Sequence, residues 1–217
     1  MIERLLPAVV ASAETRDQIL EIELFPEEEH AVGRAVEKRR HEFITGRACA
    51  RQALRELGIP ATSIPAGERG EPIWPAGVVG SITHCRGYTA CAAAHERHLL
   101  ALGIDAEPNR PLSARVAAQV ASAPEREAQV SDPDLHITRL VFSAKEAVYK
   151  AWYSLTGRWL SFEQVQVSFQ RGTREFSATP TGRPSLVERE QLDAFRGRWS
   201  LCDGVILTTV VVPRERV

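Results

Sequence analysis

A chain of 217 residues, 44% apolar and 25% charged, holds enough material for one large or two small domains with a buried core. Its formal net charge of −1 excludes the overall basic field of a nucleic-acid binder. The absence of any apolar run of about 18 residues excludes a transmembrane helix, and Met1–Leu6 lacks the hydrophobic core of a signal peptide. Cys49, Cys85, Cys91 and Cys202 form no Cys-x-x-Cys pair, so reduced thiols in a cytoplasmic protein are expected.

In chain order, residues 1–26 read as an irregular or short-strand lead-in. Glu27–Glu29 suit the first turn of a helix, where acids complement the dipole. From about Ala31 to Leu57, Phe43, Cys49, Ala50, Ala53, Leu54 and Leu57 recur at helical spacing, with Gly46 as the candidate break and Gly58 as the stop. Residues 60–77 are rich in Pro and Gly and read as loop, with Glu71–Trp74 as a candidate short strand. Strands follow at Val78–Thr83, Tyr88–Ala94 and His98–Glu107. A loop over 108–138 carries a helix near Ala114–Ser122. Thr138 to about Leu155 has an apolar stripe of Leu140, Val141, Ala144, Ala147, Val148, Ala151, Trp152 and Leu155, ended by Gly157. Strands are expected at Gln164–Phe169, Arg174–Ala178, Trp199–Asp203 and Val205–Val212. Each half is a helix followed by strands, so the fold class is α+β. Two units, 1–107 and 108–217, are expected side by side with a cleft between them.

The stretch Gly103-Ile104-Asp105-Ala106-Glu107-Pro108 carries the first chemical signal. Side chains alternate along a strand, so Asp105 and Glu107 point the same way, with Cα atoms ~6.5–7 Å apart. Two carboxylates at a strand end form a candidate Mg²⁺ site, since Mg²⁺ takes oxygen ligands from one or two carboxylates, water and substrate phosphates. A solvated pair of acids is the plain alternative. On the later helix, Glu146 and Lys150 are four residues apart, which fits an ordinary exposed ion pair. It equally fits a third carboxylate facing a metal, with Lys145 and Lys150 reaching for phosphate. Arg39 and Arg47 lie eight residues apart on one helix and project similarly, as a solvated basic face or a phosphate contact.

Gly103–Glu107, then Phe142-Ser143-Ala144-Lys145-Glu146-Ala147-Val148-Tyr149-Lys150, with Gly80-Ser81-Ile82-Thr83-His84-Cys85 upstream, resembles the 4′-phosphopantetheinyl transferase superfamily. Its members carry Gly-x-Asp-x-Glu and a later Ser-x-Lys-Glu-x-x-x-Lys. Length and motif order resemble the pseudo-dimeric, surfactin-synthetase-activating type, and the wording around Ser81–Cys85 and Ser143–Lys150 resembles enterobactin-synthase component D. The resemblance spans about residues 35–165.

It implies two similar α+β subdomains related by a pseudo-two-fold axis, with the active site in the cleft, in a monomer. It implies transfer of 4′-phosphopantetheine from coenzyme A to a serine of an acyl or peptidyl carrier protein, releasing adenosine 3′,5′-bisphosphate. Asp105, Glu107 and Glu146 would hold Mg²⁺, with Mn²⁺ as the other metal to consider. Glu146 matches the family position proposed as general base, and Lys150 and Lys145 would contact phosphate. Arg39, Arg47, Thr83 and His84 would meet the coenzyme A nucleotide and its 3′-phosphate, and Arg69 with Glu71 would lie against it. Ala66 stands where some relatives have a basic residue and Glu71-Pro72 replaces a Lys-Pro found in others, so one phosphate contact is either missing or supplied by Arg69. Leu112, Val116, Val120, Trp159 and Leu160 are candidates for the carrier surface, and Leu160 equally for the pantetheine arm. No contact with nucleic acid or membrane is expected. A metal-dependent phosphohydrolase would use the same three carboxylates but gives no reason for Arg39, Arg47 and His84. A non-catalytic coenzyme A or carrier-binding protein would not need the carboxylates together.

Overall fold

The computed structural model describes residues 1–128, 130, 132–180 and 195–214. A short 3-10 turn, Ile2–Leu5, precedes β1 (Ala11–Thr15), α1 (Pro26–Val32), α2 (Glu37–Glu56), β2 (Val78–Cys85), β3 (Tyr88–His95) and β4 (Leu99–Pro108). Then come α3 (Ala114–Val120), α4 (Ala123–Arg126), α5 (Ile137–Thr156), β5 (Val165–Phe169), β6 (Glu175–Pro180), β7 (Arg196–Cys202) and β8 (Val205–Pro213). The strands make two antiparallel sheets, one in the order β1-β3-β2 and one in the order β4-β8-β7-β6-β5. Among the described residues no helix is long and apolar enough to cross a membrane.

Burial along β3 and β4 explains the layering. In β3, Cys91 and Ala93 pack with Ala50, Ala53 and Leu54 of α2, while Ala90, Ala92 and Ala94 face the opposite core. In β4, Leu102, Ile104 and Ala106 join that same middle core with Ile2, Leu5 and Leu207. The small side chains of β3 let a helix and a second sheet approach from its two faces. The other face of β4 meets α5, whose Leu140, Ala144, Ala147, Val148 and Ala151 cover the five-stranded sheet beside Ala101, Trp199, Ile206 and Val210. The order of layers is thus helix, sheet, sheet, helix, which is the expected α+β class.

Two local expectations are corrected and one is refined. The helical stretch breaks at Gly33–Val36, not at Gly46. Gly46 lies within a continuous α2 and faces β2, where a Cβ would meet Ile82 Cγ2 at 3.2 Å. The helix expected near Ala114–Ser122 is present but ends at Val120, and a separate short helix follows it, because Ser122 caps a new start: its N–H donates to Glu125 Oε2 at 2.7 Å. Residues 71–74 form no strand; the loop is pinned by an isolated bridge between Ala66 and Pro72.

At Gly103, α5 lies directly against the β4 backbone. A Cβ there would stand 1.9 Å from the Ala147 carbonyl oxygen and 2.9 Å from the Ala151 nitrogen. Neither neighbour is a side chain that can rotate away. Gly103→Ala is therefore expected to lose ~1–3 kcal/mol or more of stability, the range for forced overpacking. A urea midpoint unchanged from wild type would show that α5 can lift from β4 without loss.

Candidate active site at the β4–α5 junction

Asp105 and Glu107 follow Gly103 on the face of β4 that α5 covers, as strand alternation requires. The junction is fixed at both ends. Asn109 Oδ1 accepts the His136 N–H at 3.0 Å, and Asn109 Nδ2 donates to the Asp134 carbonyl at 2.9 Å, which sets the start of α5 beside the end of β4. Arg139, in the first turn of α5, donates from Nε to the Arg110 carbonyl at 3.1 Å and from Nη1 to Glu107 Oε2 at 2.8 Å. Further along α5, Lys150 Nζ donates to the Ile104 carbonyl at 2.9 Å and to Asp105 Oδ1 at 2.8 Å. The helix therefore touches β4 through backbone at Gly103 and through basic side chains on either side of it.

Glu146 shares this field. Burial first, and the Asp105 carboxylate second, push its carboxyl above the ordinary range, with Lys150 opposing and Glu107 adding to the rise. Glu107 is likewise pushed up by burial and then by Asp105, against Arg139. Like charges repel, so the acids turn to separate basic partners: Asp105 to Lys150 and Glu107 to Arg139. Among the described residues no three His, Cys, Asp or Glu side chains close to metal-ligand spacing. One oxygen is nevertheless left over. Asp105 Oδ2 is buried without a hydrogen-bond partner among the described residues. An orphaned carboxylate oxygen beside two acids that burial makes harder to ionise is a donor set that suits a hard cation.

The other expected residues divide into two groups. His84 and Arg39 sit together: His84 Nε2 is 3.2 Å from Glu42 Oε2, and Arg39 Nη1 is 3.9 Å from the same oxygen. Burial lowers the His84 pKa, Glu42 opposes, and Arg39 and Lys150 lower it further, so this trio lies within electrostatic reach of the carboxylate group. From the 66–72 loop, Glu71 reaches α5 and Arg69 reaches the segment just after it. The Arg69 guanidinium lies 5.8 Å from the Trp159 ring centroid, and Glu71 Oε1 accepts from the Tyr153 hydroxyl at 3.4 Å.

Four residues are enclosed by protein neighbours. Lys145 is 3% exposed, and its ammonium donates to the Val120 and Phe162 carbonyls and to Glu125 Oε2, each at 2.9 Å. All three protons are used, so none is left for a phosphate. Arg47 is 4% exposed; its Nε donates to the Ile64 carbonyl at 2.7 Å and stands 4.0 Å from Glu28 Oε1. Burial pushes its pKa down to about 10. Thr83 is 2% exposed, and its hydroxyl is engaged with β4, not with an open surface. Leu160 is packed into the core beneath α5 with Trp152 and Val165. Of the apolar carrier-surface candidates, Val116 and Trp159 are exposed, whereas Val120 is buried. A separate cavity of about 500 Å³ lies among Leu20, Leu24, Glu29, Arg40, His41 and Ile44, and no residue of the carboxylate group lines it.

Sequence reasoning passed over Arg139, Glu42 and Glu125. Glu125 had a local signal, the Ser-x-x-Glu capping box at Ser122. Arg139 had none, since its partner Glu107 is 32 residues away.

Comparison with known proteins identifies the family. Residues 27–94 match the family described as the 4′-phosphopantetheinyl transferase N-terminal domain, and residues 101–208 match the 4′-phosphopantetheinyl transferase superfamily. The chain is 47% identical to the 4′-phosphopantetheinyl transferase Npt of Nocardia iowensis over 97% of its own length and 99% of the relative's. The chain belongs to the 4′-phosphopantetheinyl transferase superfamily. It is also 39% identical to the 4′-phosphopantetheinyl transferase PptT of Mycobacterium tuberculosis, with 98% of each chain covered. To enterobactin synthase component D of Salmonella typhimurium it is 30% identical, over 82% of this chain and 76% of the relative. The activity is that of a phosphopantetheinyl transferase, which moves the 4′-phosphopantetheinyl group of coenzyme A to a carrier protein. The family uses a divalent metal with coenzyme A.

The raised carboxyl groups make a prediction about pH. A carboxyl whose pKa rises on folding holds its proton more tightly in the folded chain than in the unfolded one. Between the ordinary Glu range and the raised folded value, stability therefore falls as pH rises. At neutral pH Glu107 and Glu146 thus oppose folding, and a hard cation bound by them relieves that opposition. Mg²⁺ is expected to raise Tm more at a pH of about 7.5 than at about 5, where protons already compete. Scanning fluorimetry at both pH values checks this, and an equal shift at the two would count against a carboxylate-bound cation.

Proposed function

We propose that Asp105, Glu107 and Glu146 together hold Mg²⁺, with Mn²⁺ as the substitute, and that coenzyme A lies in a cleft running from His84 and Arg39 to the β4–α5 junction. The observation that carries this reading is Asp105 Oδ2, a buried, unpartnered carboxylate oxygen beside two further acids. When bound, the cation supplies positive charge to the pyrophosphate. Lys150 uses two of its three protons on β4, so the third remains for a phosphate oxygen. His84 and Arg39 point the 3′-phosphate toward the start of α2, where it exchanges with Glu42. Arg69 supports the nucleotide from the loop side, and Glu71 fixes that loop through Tyr153 and the Arg69 N–H, which donates to its Oε2 at 2.9 Å.

The reaction forms a bond between the carrier serine oxygen and the phosphorus of the pantetheine arm. It breaks the pyrophosphate and releases adenosine 3′,5′-bisphosphate. Glu146 takes the serine proton, directly or through water, and does so as a weakened base while it ligates the cation. The backbone ladder of β4 with β8 favours dividing the two units just before β4, not at 107/108 as expected. Both sheets and both covering helices occur in one chain, which supports a monomer. Free Cys49, Cys85, Cys91 and Cys202 fit a cytoplasmic setting.

The test is transfer from coenzyme A to an acyl or peptidyl carrier protein, read by intact mass. Asp105→Ala, Glu107→Ala and Glu146→Ala are each expected to lower the rate on the order of a hundredfold or more, with circular dichroism unchanged. Near-wild-type rates in two of them would overturn the carboxylate site.

The 3′-phosphate reading has its own test. Charge-assisted hydrogen bonds contribute ~1.5–3 kcal/mol, about tenfold or more in affinity. His84→Ala is expected to weaken coenzyme A by that factor and to leave 3′-dephospho-coenzyme A nearly unchanged, by calorimetry. Equal weakening of both would make His84 structural.

A further inference from the structure

β2 and β4 are edge strands of different sheets and share no backbone ladder. Two hydroxyls join them instead. Ser81 Oγ accepts the Ile104 N–H at 3.1 Å, and Thr83 Oγ1 accepts the Ala106 N–H at 3.0 Å. Both side chains are buried, and both take the place of a carbonyl that a neighbouring strand would have offered. Thr83 does one thing more. Its hydroxyl proton is directed at Asp105 Oδ1, 3.3 Å away, the oxygen that also accepts from Lys150 Nζ. A hydroxyl has a single proton, so Thr83 retains none for a ligand phosphate. Asp105 Oδ1 is thus held by two donors from two elements, β2 and α5, while Oδ2 has no partner among the described residues.

We propose that Thr83 is a positioning residue for Asp105: together with Lys150 it saturates Oδ1, fixes the carboxylate plane, and presents Oδ2 to the bound cation. This rests on the reading of Asp105 as a cation ligand. Removing a carboxylate's outer hydrogen-bond partner typically weakens metal binding by about 10–100-fold. Ser81 is a built-in control, because it makes the same seam bond to β4 without reaching a carboxylate.

The experiment measures Mn²⁺ binding to the full-length protein, counting free Mn²⁺ by electron paramagnetic resonance, alongside Tm and the KM for coenzyme A. The variants are Thr83→Val, Thr83→Ser, Ser81→Ala and Asp105→Asn. The expected result is that Thr83→Val weakens Mn²⁺ by about tenfold or more and Thr83→Ser restores it. Ser81→Ala should lower Tm with Mn²⁺ affinity unchanged. If Thr83→Val does not fold, Thr83→Ala takes its place. Equal loss of Mn²⁺ affinity in Ser81→Ala and Thr83→Val would show that the seam is only structural. A raised KM for coenzyme A in Thr83→Val with unchanged Mn²⁺ affinity would make Thr83 a ligand contact, and would equally overturn the proposal. Unchanged Mn²⁺ binding in Asp105→Asn would overturn the cation site itself, and the positioning role with it; loss in Asp105→Asn without loss in Thr83→Val overturns the positioning role alone.

Discussion

The structure depends on how closely α5 can lie on β4. The Ala147 carbonyl occupies the space where any side chain at position 103 would begin. That approach places Lys150 within reach of the Ile104 carbonyl and Asp105, and Arg139 within reach of Glu107. A helix held farther off by even one methyl group would move both basic residues away from the acids they pair with. The glycine of the Gly-x-Asp-x-Glu stretch therefore sets a distance, and the acids that follow use it. On the opposite face of β4, Leu102, Ile104 and Ala106 are locked into the core shared by the two sheets, so the strand cannot retreat from the helix.

Charge in this chain does two separate jobs, and burial decides which. Glu28 is fully buried; it accepts from the Phe25 and Ile64 N–H groups at 3.0 and 2.9 Å and pairs with Arg51, with Arg47 nearby. Glu125 does the same near the start of α5, accepting from Val167 N–H at 2.8 Å and from Lys145. Each buried carboxylate is held by several donors, although Arg47 Nη2 and Arg51 Nε have no partner among the described residues, and breaking a buried pair costs about 3–5 kcal/mol. Lys145 and Arg47 belong to these networks. Lys150, Arg39 and His84 are partly open and keep capacity for a ligand.

Much of this was legible in the sequence. Strand alternation put Asp105 and Glu107 on one face, and the apolar stripe of α5 fixed which side of that helix meets the sheet. Gly157, in the left-handed conformation at φ 64°, ended the helix as expected. What spacing cannot show is depth. Arg39 and Arg47 share a helix face, yet that face tilts from solvent at Arg39 into the packed Glu28 network at Arg47. Lys145 and Glu146 are adjacent, and one turn of direction sends the first into a buried cage and leaves the second beside the acids. Thr83 and Leu160 are buried for the same reason: tertiary neighbours closed over them. Arg139 and Glu42 went unnoticed because their partners are defined only by the fold.

The basic and acidic groups of the cleft are already satisfied by one another: Asp105 by Lys150, Glu107 by Arg139, His84 and Arg39 by Glu42. Binding in such a cleft is an exchange of partners. A phosphate that reaches His84 must displace Glu42, and a cation that reaches Glu107 must compete with Arg139. The net gain is then the difference between two charged contacts, smaller than either alone. What such exchanges favour is selectivity: a dianionic phosphate competes with a carboxylate for these basic groups better than a neutral or singly charged ligand does. Asp105 Oδ2 stands outside this scheme. Of the carboxylate oxygens there, it is the buried one without a protein partner among the described residues, so a cation arriving there displaces nothing. The orphaned oxygen, more than the paired ones, is where the first binding energy can be gained.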